Sequence, residues 1–142
     1  MTLMFQKEVA ERITALPGDR SYGRLSVLTQ WLCKTEKLFD VPAKAFKPSP
    51  RVTSTVISIH PRPVPLHPAK LDNLEAVTRT AFGQRRKMLR SSLKPIISNP
   101  SETLNKLSIE PTERAENLSI FQFCMLAQEY NLQLKKSAQY PS

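Results

Sequence analysis

The chain has 142 residues, a length that gives one medium domain or two small ones, and 40% of them are hydrophobic, enough for a packed core. Its 21 basic and 12 acidic residues leave a formal charge of +9, which favours a polyanionic partner, nucleic acid before an anionic membrane. No apolar run reaches the roughly 20 residues of a membrane-spanning helix, the N-terminus lacks the pattern of a signal peptide, and neither Cys33 nor Cys124 lies in a CxxC pair or at metal-ligand spacing from a histidine. A soluble cytoplasmic protein is expected, with no membrane span, no metal and two buried free thiols. A basic protein with no dedicated site would carry the same charge surplus.

Residues 1–6 read as a short buried strand. A charged helix follows from Lys7 to about Leu16, with Val9, Ile13 and Leu16 on one stripe, and Pro17-Gly18-Asp19 breaks it. Ser21 can cap a second helix running to about Cys33, with Leu25, Leu28 and Leu32 in register. Lys37 to Val41 reads as a strand. The stretch from Pro42 to Pro50 holds three prolines and is expected to be irregular. Val52 to Ile59 is β-branched and alternating, hence a strand. The loop between these last two strands has no room for a crossover helix, so the pair is expected to be antiparallel. Three strands with two helices would leave a sheet edge and face uncovered. Residues 1–60 are therefore expected to be the C-terminal part of a larger α/β sheet domain.

Residues 61–70 form a Pro-rich linker, with four prolines between Pro61 and Pro68. Behind it the pattern becomes helical, and residues 71–134 read as a small all-α domain. Leu71 to about Gln84 is one helix, with Leu74, Val77, Ala81 and Phe82 apolar. Arg85 to Lys94 is another, or its continuation past Gly83, ended by Pro95. Ser101 can cap a short helix bearing Leu104 and Leu107, and Pro111 to Leu118 is a polar turn or short helix. Ser119 to about Leu134 is the last helix, and residues 135–142 are expected to fray.

The sharpest electrostatic feature is Phe82 to Lys94, with five basic residues, Arg85, Arg86, Lys87, Arg90 and Lys94, and no acid. On a helix, Arg86, Arg90 and Lys94 would line one face at i, i+4 spacing, where like charges repel. A phosphate backbone would supply the missing countercharge; the alternative is a solvated basic face. The sharpest shape feature is Phe46 inside the Pro-stiffened loop. It is either a platform for stacking an unpaired base or a plug for the core beneath the loop. Glu8 and Glu11 lie beside Lys7 and Arg12, and surface ion pairs account for them better than acid–base chemistry. Ser26 lies outside any GxSxG elbow and has no candidate histidine. Gly18, Gly23 and Gly83 are the only glycines, so no Gly-rich loop is available for a nucleotide-type cofactor.

Several of these segments together resemble one family. Leu3 to Ile13 (LMFQKEVAERI), Tyr22 to Gln30 (YGRLSVLTQ), Val41 to Ile57 (VPAKAFKPSPRVTSTVI), Phe82 to Leu93 (FGQRRKMLRSSL) and Arg114 to Phe123 (RAENLSIFQF) occur in this order in KsgA-type small-subunit rRNA adenine dimethyltransferases. The resemblance runs from residue 1 to about residue 130. It implies a Rossmann-like methyltransferase domain followed by a small helical domain. It also implies S-adenosylmethionine-dependent dimethylation of the N6 amines of two adjacent adenosines near the 3′ end of small-subunit rRNA, during assembly of the pre-ribosomal small subunit.

The departure from that family is as informative. Its members carry a Gly-rich donor loop, an acidic ribose-binding residue and an Asn-Leu-Pro-Tyr motif, all upstream of the Gln-Lys-Glu-Val block. Here that block begins at Gln6, and no Asn-Leu-Pro-Tyr is present. The resemblance therefore implies a fragment with no catalytic residue of its own, no bound donor and no methyl transfer in isolation. The residues it carries over are Phe46, at the target-base pocket, and Arg85, Arg86, Lys87 and Arg90, with neighbouring Lys94, on an rRNA-facing basic element. Lys47 and Arg51 flank the Pro loop, where they would hold phosphates.

Overall fold

The computed structural model describes residues 1–45 and 53–139, in two compact units, Met1–Leu66 and His67–Ser142. The division falls inside the Pro-rich stretch. Phe46, Lys47 and Arg51 lie outside the described residues.

In the first unit, strand β1 (Thr2–Gln6) leads directly into helix α1 (Lys7–Thr14). Helix α2 spans Arg24–Leu32, strand β2 Cys33–Val41 and strand β3 Ser54–Pro61. The stretch expected to be irregular begins with one 3₁₀ turn at Ala43–Ala45, which Pro42 tolerates because it precedes the turn and its absent N–H is not needed there. The sheet order is β1-β3-β2, and β3 is antiparallel to both neighbours. The short connection therefore does join an antiparallel pair. Strands β1 and β2 are parallel to each other, and their carboxyl ends lie at the same edge of the sheet.

One face of the sheet is packed by α1: Ala10 and Ile13 bury Ile57, with Phe5, Val9 and Ile59 around them. Alternation along β3 turns Val56 to the other face. There its cross-strand partners Met4 and Phe39 are 52% and 58% exposed. Strand β1 was expected to be buried; only Phe5 is half-buried, because α1 covers a single face.

Helix α2 also departs from its expected orientation. Its buried face is Ser26, Val27 and Trp31, while Leu25 and Leu32 are exposed. The polar side chains decide this. Ser26 Oγ donates to the Arg12 carbonyl, and Gln30 Nε2 donates to the Ile13 and Ala15 carbonyls, each at 2.8 Å. Helix α1 stops at Thr14, so those carbonyls have no partner within the helix. Ser26 Oγ also accepts the Gly23 N–H at 3.1 Å, which makes Gly23, not Ser21, the residue that caps α2. Cys33 is the first residue of β2 and half-buried, whereas a buried helical thiol was expected.

The second unit is helical: α3 (Leu71–Gly83), α4 (Leu89–Ser92), α5 (Pro100–Lys106) and α6 (Ile120–Gln139), with a 3₁₀ turn at Ala115–Asn117. Leu74, Val77 and Ala81 of α3 share the core with Phe123, Cys124, Leu126 and Ala127 of α6. Ser119 and Gln122 cap α6 reciprocally: the Ser119 hydroxyl accepts the Gln122 N–H at 3.1 Å, and Gln122 Oε1 accepts the Ser119 N–H at 2.9 Å. Helix α6 runs on to Gln139, past the limit expected near Leu134. Helix α5 starts with Pro100 behind Asn99 rather than with a Ser101 cap, since proline suits the first helical position.

The expected helix from Arg85 to Lys94 shrinks to Leu89–Ser92. Gln84 leaves helical geometry at φ −129° and ψ 54°, and Lys87 N–H closes a turn on the Gln84 carbonyl at 2.9 Å. Leu89 and Arg90 then donate to the Glu113 and Pro111 carbonyls, at 2.7 and 3.1 Å. The line of Arg86, Arg90 and Lys94 along one helix face is therefore not formed. The turn instead avoids stacking like charges at i, i+4.

Candidate nucleic-acid interface

Two places in the chain gather the side chains that matter, one in each unit. In the first unit it is the edge where β1 and β2 end. In open α/β sheets, ligands bind outside the carboxyl ends of parallel strands. Gln6 ends β1, Val41 ends β2, and β3 returns to the same edge at Ser54. Asp40 sits here, directly opposite Thr55. The Thr55 hydroxyl donates to Asp40 Oδ1 at 2.8 Å, and Lys7 Nζ lies 3.3 Å from Asp40 Oδ2. The backbone N–H of Lys7 donates to the Thr53 carbonyl at 2.9 Å. The Thr55 hydrogen bond, with Lys7 and Lys37 assisting and partial desolvation opposing, holds the Asp40 carboxyl below its ordinary value. An open cavity of about 360 Å³, lined by Gln6, Lys7, Glu8, Glu11 and Thr53, adjoins this cluster.

Sequence reasoning missed Lys7, Asp40 and Thr55 as a group. It paired Lys7 with the neighbouring acids of its own helix, but only Arg12 behaves so, meeting Glu8 at 2.7 Å. Fifteen positions separate Asp40 from Thr55, and no local pattern joins them. Ser26 proves to be structural, buried and bonded as described above.

In the second unit the basic turn follows Gly83. Phe82 packs against the buried Phe123 with ring centroids 5.4 Å apart, and the Arg85 guanidinium lies 5.5 Å above the Phe82 ring. Arg85 is thus half-buried and held by a cation–π contact. Arg86, Lys87, Arg90 and Lys94 are exposed, and none of them pairs with a described acidic side chain. The arrangement can accept polyanion phosphates; it holds no proton-transfer pair. Among the described residues no group of histidines, cysteines and carboxylates is arranged to hold a metal ion, and no helix is long and apolar enough to cross a membrane.

The glycines test whether a methyl donor fits these residues. Gly18 lies in the turn after α1 at φ +92°, Gly23 precedes α2, and Gly83 ends α3. None of them forms a strand-to-helix turn at a strand's carboxyl end, so the described residues offer no Gly-lined seat for a donor.

A mixed α/β unit of three strands, followed by a helical unit with a run of exposed cations, defines the class of fold. The chain belongs to the ribosomal RNA adenine dimethylase family, whose family model matches residues 1–132. It is 54% identical over 125 residues to ribosomal RNA small subunit methyltransferase A of Rhodospirillum rubrum, covering 88% of this chain and 43% of that protein. The protein of the same name from Wolbachia pipientis is 53% identical over 127 residues, covering 89% and 48%. The chain thus spans about half the length of the curated relatives it matches. A crystal structure of a dimethyladenosine transferase from Plasmodium falciparum superposes with a TM-score of 0.81 at 25% identity, over 93% of this chain and 57% of that one. The 23S rRNA methyltransferase ErmE shares the fold, with a TM-score of 0.64 at 22% identity, over 92% of this chain and 54% of that one.

Proposed function

We propose that these 142 residues form the RNA-handling half of an S-adenosylmethionine-dependent rRNA adenine N6,N6-dimethyltransferase acting on two adjacent adenosines near the 3′ end of small-subunit rRNA. The observation that carries the reading is the set of exposed, unpaired cations Arg86, Lys87, Arg90 and Lys94 on a chain of this family. A phosphate backbone supplies the countercharge that the described acids do not. Arg85, held over Phe82, orients the start of that set. Phe46 stacks the target base, and Lys47 and Arg51 hold the phosphates beside it. The partner is the pre-ribosomal small subunit in the cytoplasm, and the role is in ribosome biogenesis.

In this reading the first unit is the C-terminal part of a Rossmann-like sheet. Its row of exposed Met4, half-buried Val56 and exposed Phe39 suits a surface that further protein covers. Donor binding and the catalytic groups then belong to that further protein, and the 142 residues alone transfer no methyl group.

The test mixes the chain with a small-subunit rRNA hairpin and labelled donor, with and without the N-terminal half of the Rhodospirillum rubrum relative. Salt-sensitive RNA binding alone and methyl transfer only in the mixture are the expected results. Transfer by the chain alone would overturn the division of labour. RNA binding that no added half converts to transfer would favour the second reading, a non-catalytic rRNA-binding module, which rests on the same exposed cations.

A further inference from the structure

We propose that the second unit carries a nucleotide pocket at the start of α3, in which Asn73 and Asn131 read the edge of an adenine base and Lys70 meets its phosphate. The pocket uses none of the basic-turn residues, and binding in it needs no methyl transfer. Its occupant is an unpaired adenosine of an RNA or a free adenine mononucleotide, which share that chemistry; only the RNA source rests on the function proposed above.

A cavity of about 480 Å³, the size of a small-ligand site, lies between the first turn of α3 and the middle of α6. Pro68, Ala127 and Leu132 give it an apolar wall. Gln128 Nε2 donates to the Pro68 carbonyl at 2.6 Å, which holds the chain before α3 against α6. Asn73 and Asn131 complete the lining from the two helices. Asn73 is 8% exposed, and its Nδ2 donates to Asn131 Oδ1 at 3.0 Å. Among the described residues, Asn73 Oδ1 accepts no hydrogen bond and Asn131 Nδ2 donates none. Of the described side chains only Ser92 Oγ is sealed in the interior without a partner, so the free Asn73 Oδ1 is open, and the cavity is the space it opens on. A pair that served only to register two helices would gain by closing both bonds, because a half-satisfied buried amide is destabilising.

An open acceptor beside an open donor complements adenine, whose N6 amine donates next to the N1 or N7 acceptor; asparagine amides read adenine through this pairing. A peptide group also offers one donor and one acceptor, but it brings no anion, and charge decides between them. Lys70 is exposed and is the only charged residue lining the cavity. Lys70 also precedes the first turn of α3, whose N–H groups receive no side-chain cap, and a helix N-terminus favours a phosphate. Asp72 stands in the same turn but does not line the cavity.

The experiment titrates the full, isotopically labelled chain with adenosine monophosphate and follows the side-chain amide signals of Asn73 and Asn131 by NMR. Saturable shifts of both are expected. Purine riboside monophosphate, which lacks the N6 amine, should bind on the order of tenfold more weakly, the effect of one unmade hydrogen bond. Asn131→Asp keeps the bond from Asn73 but replaces the open donor with a carboxylate, and should weaken adenosine monophosphate at least as much. Lys70→Ala should weaken the monophosphate several-fold and leave adenosine unchanged. A thermal melt confirms that each variant is folded. A hairpin RNA with one unpaired adenosine, set against its fully paired counterpart, separates the sources. Amide shifts with the unpaired hairpin alone assign an RNA nucleotide; shifts with the mononucleotide and neither hairpin assign a free one. Equal shifts with ribose 5-phosphate would reduce the pocket to an anion spot at Lys70 and overturn the proposal. Amides that answer N-acetylglycine methylamide but not adenosine monophosphate would overturn it in favour of a peptide. Amides silent to every probe would leave Asn73 and Asn131 a purely structural pair, and the proposal would fall.

Discussion

Gln30 of α2 donates from Nε2 to the carbonyl oxygen of Ile13 at 2.8 Å, in the last turn of α1. The same amide nitrogen reaches the Ala15 carbonyl, also at 2.8 Å, so one side chain serves two of the oxygens that the end of α1 leaves open. Both bonds are partly buried and span 17 and 15 positions of chain. They are the reason α2 lies with its polar-edged face inward.

Replacing Gln30 by Ala should therefore destabilise the first unit by about 1–3 kcal/mol, the range for orphaned partly buried carbonyls. Gln30→Glu, which has no amide donor, should act in the same direction. Urea unfolding reads this as a lower midpoint at unchanged slope. An unchanged midpoint in both variants would mean that water serves those carbonyls equally well.

The Asp40 cluster predicts an acid-dependent stability. Its carboxyl is held below the ordinary value, by the Thr55 hydrogen bond first. A depressed folded pKa contributes stability that is complete above the unfolded value of about 3.9 and is lost as pH falls through the folded value. The thermal midpoint of Asp40→Asn should thus lie below that of the parent chain at neutral pH. The gap should stay constant down to about pH 5 and close below about pH 4. A gap that persists unchanged at pH 2 would disconnect Asp40 ionisation from the cluster.

The basic turn predicts salt-dependent RNA binding. Each of Arg86, Lys87, Arg90 and Lys94 that neutralises a phosphate contributes roughly 0.7–0.9 to the slope of log affinity against log salt. Replacing Arg86, Lys87 and Arg90 together by Ala should weaken binding and flatten that slope by about 2–3. Gel-shift titrations of a hairpin RNA between 50 and 300 mM salt, roughly the range over which such slopes are resolved, measure it. An unchanged slope would assign the contact elsewhere in the chain.

The two cysteines should differ sharply. Cys124 is 1% exposed, and burial pushes its thiol up to about 11. At pH 8 only about one molecule in a thousand then carries the thiolate, the reactive form. Cys33 is half-buried. Ellman's reagent should consume one thiol in the folded chain and the second only in urea, with Cys33→Ser removing the first. Two equally fast thiols would contradict the burial of Cys124.

Local pattern carried a good deal of this structure. Pro42 and the prolines from Pro61 onward marked where β2 and β3 stop, and the short connection between β2 and β3 required an antiparallel pair. Alternation in Val52 to Ile59 and the apolar spacing of Leu74, Val77 and Ala81 located a strand and a helix face, since these depend on neighbours a few positions away. The density of cations after Gly83 was legible for the same reason.

By itself, then, the order of amino acids determined the run of elements, the family resemblance and the placing of basic charge in the second unit. Tertiary structure alone decided three things. It turned Leu25 and Leu32 of α2 outward, because Ser26 and Gln30 answer carbonyls on another helix. It cut the basic helix to Leu89–Ser92, because Leu89 and Arg90 find backbone partners at Glu113 and Pro111. It set Asp40 against Thr55 through a bulge at Leu38. In each case the deciding bond joins residues far apart in the chain, and periodicity within a short window carries no record of which distant group will be there to complete it.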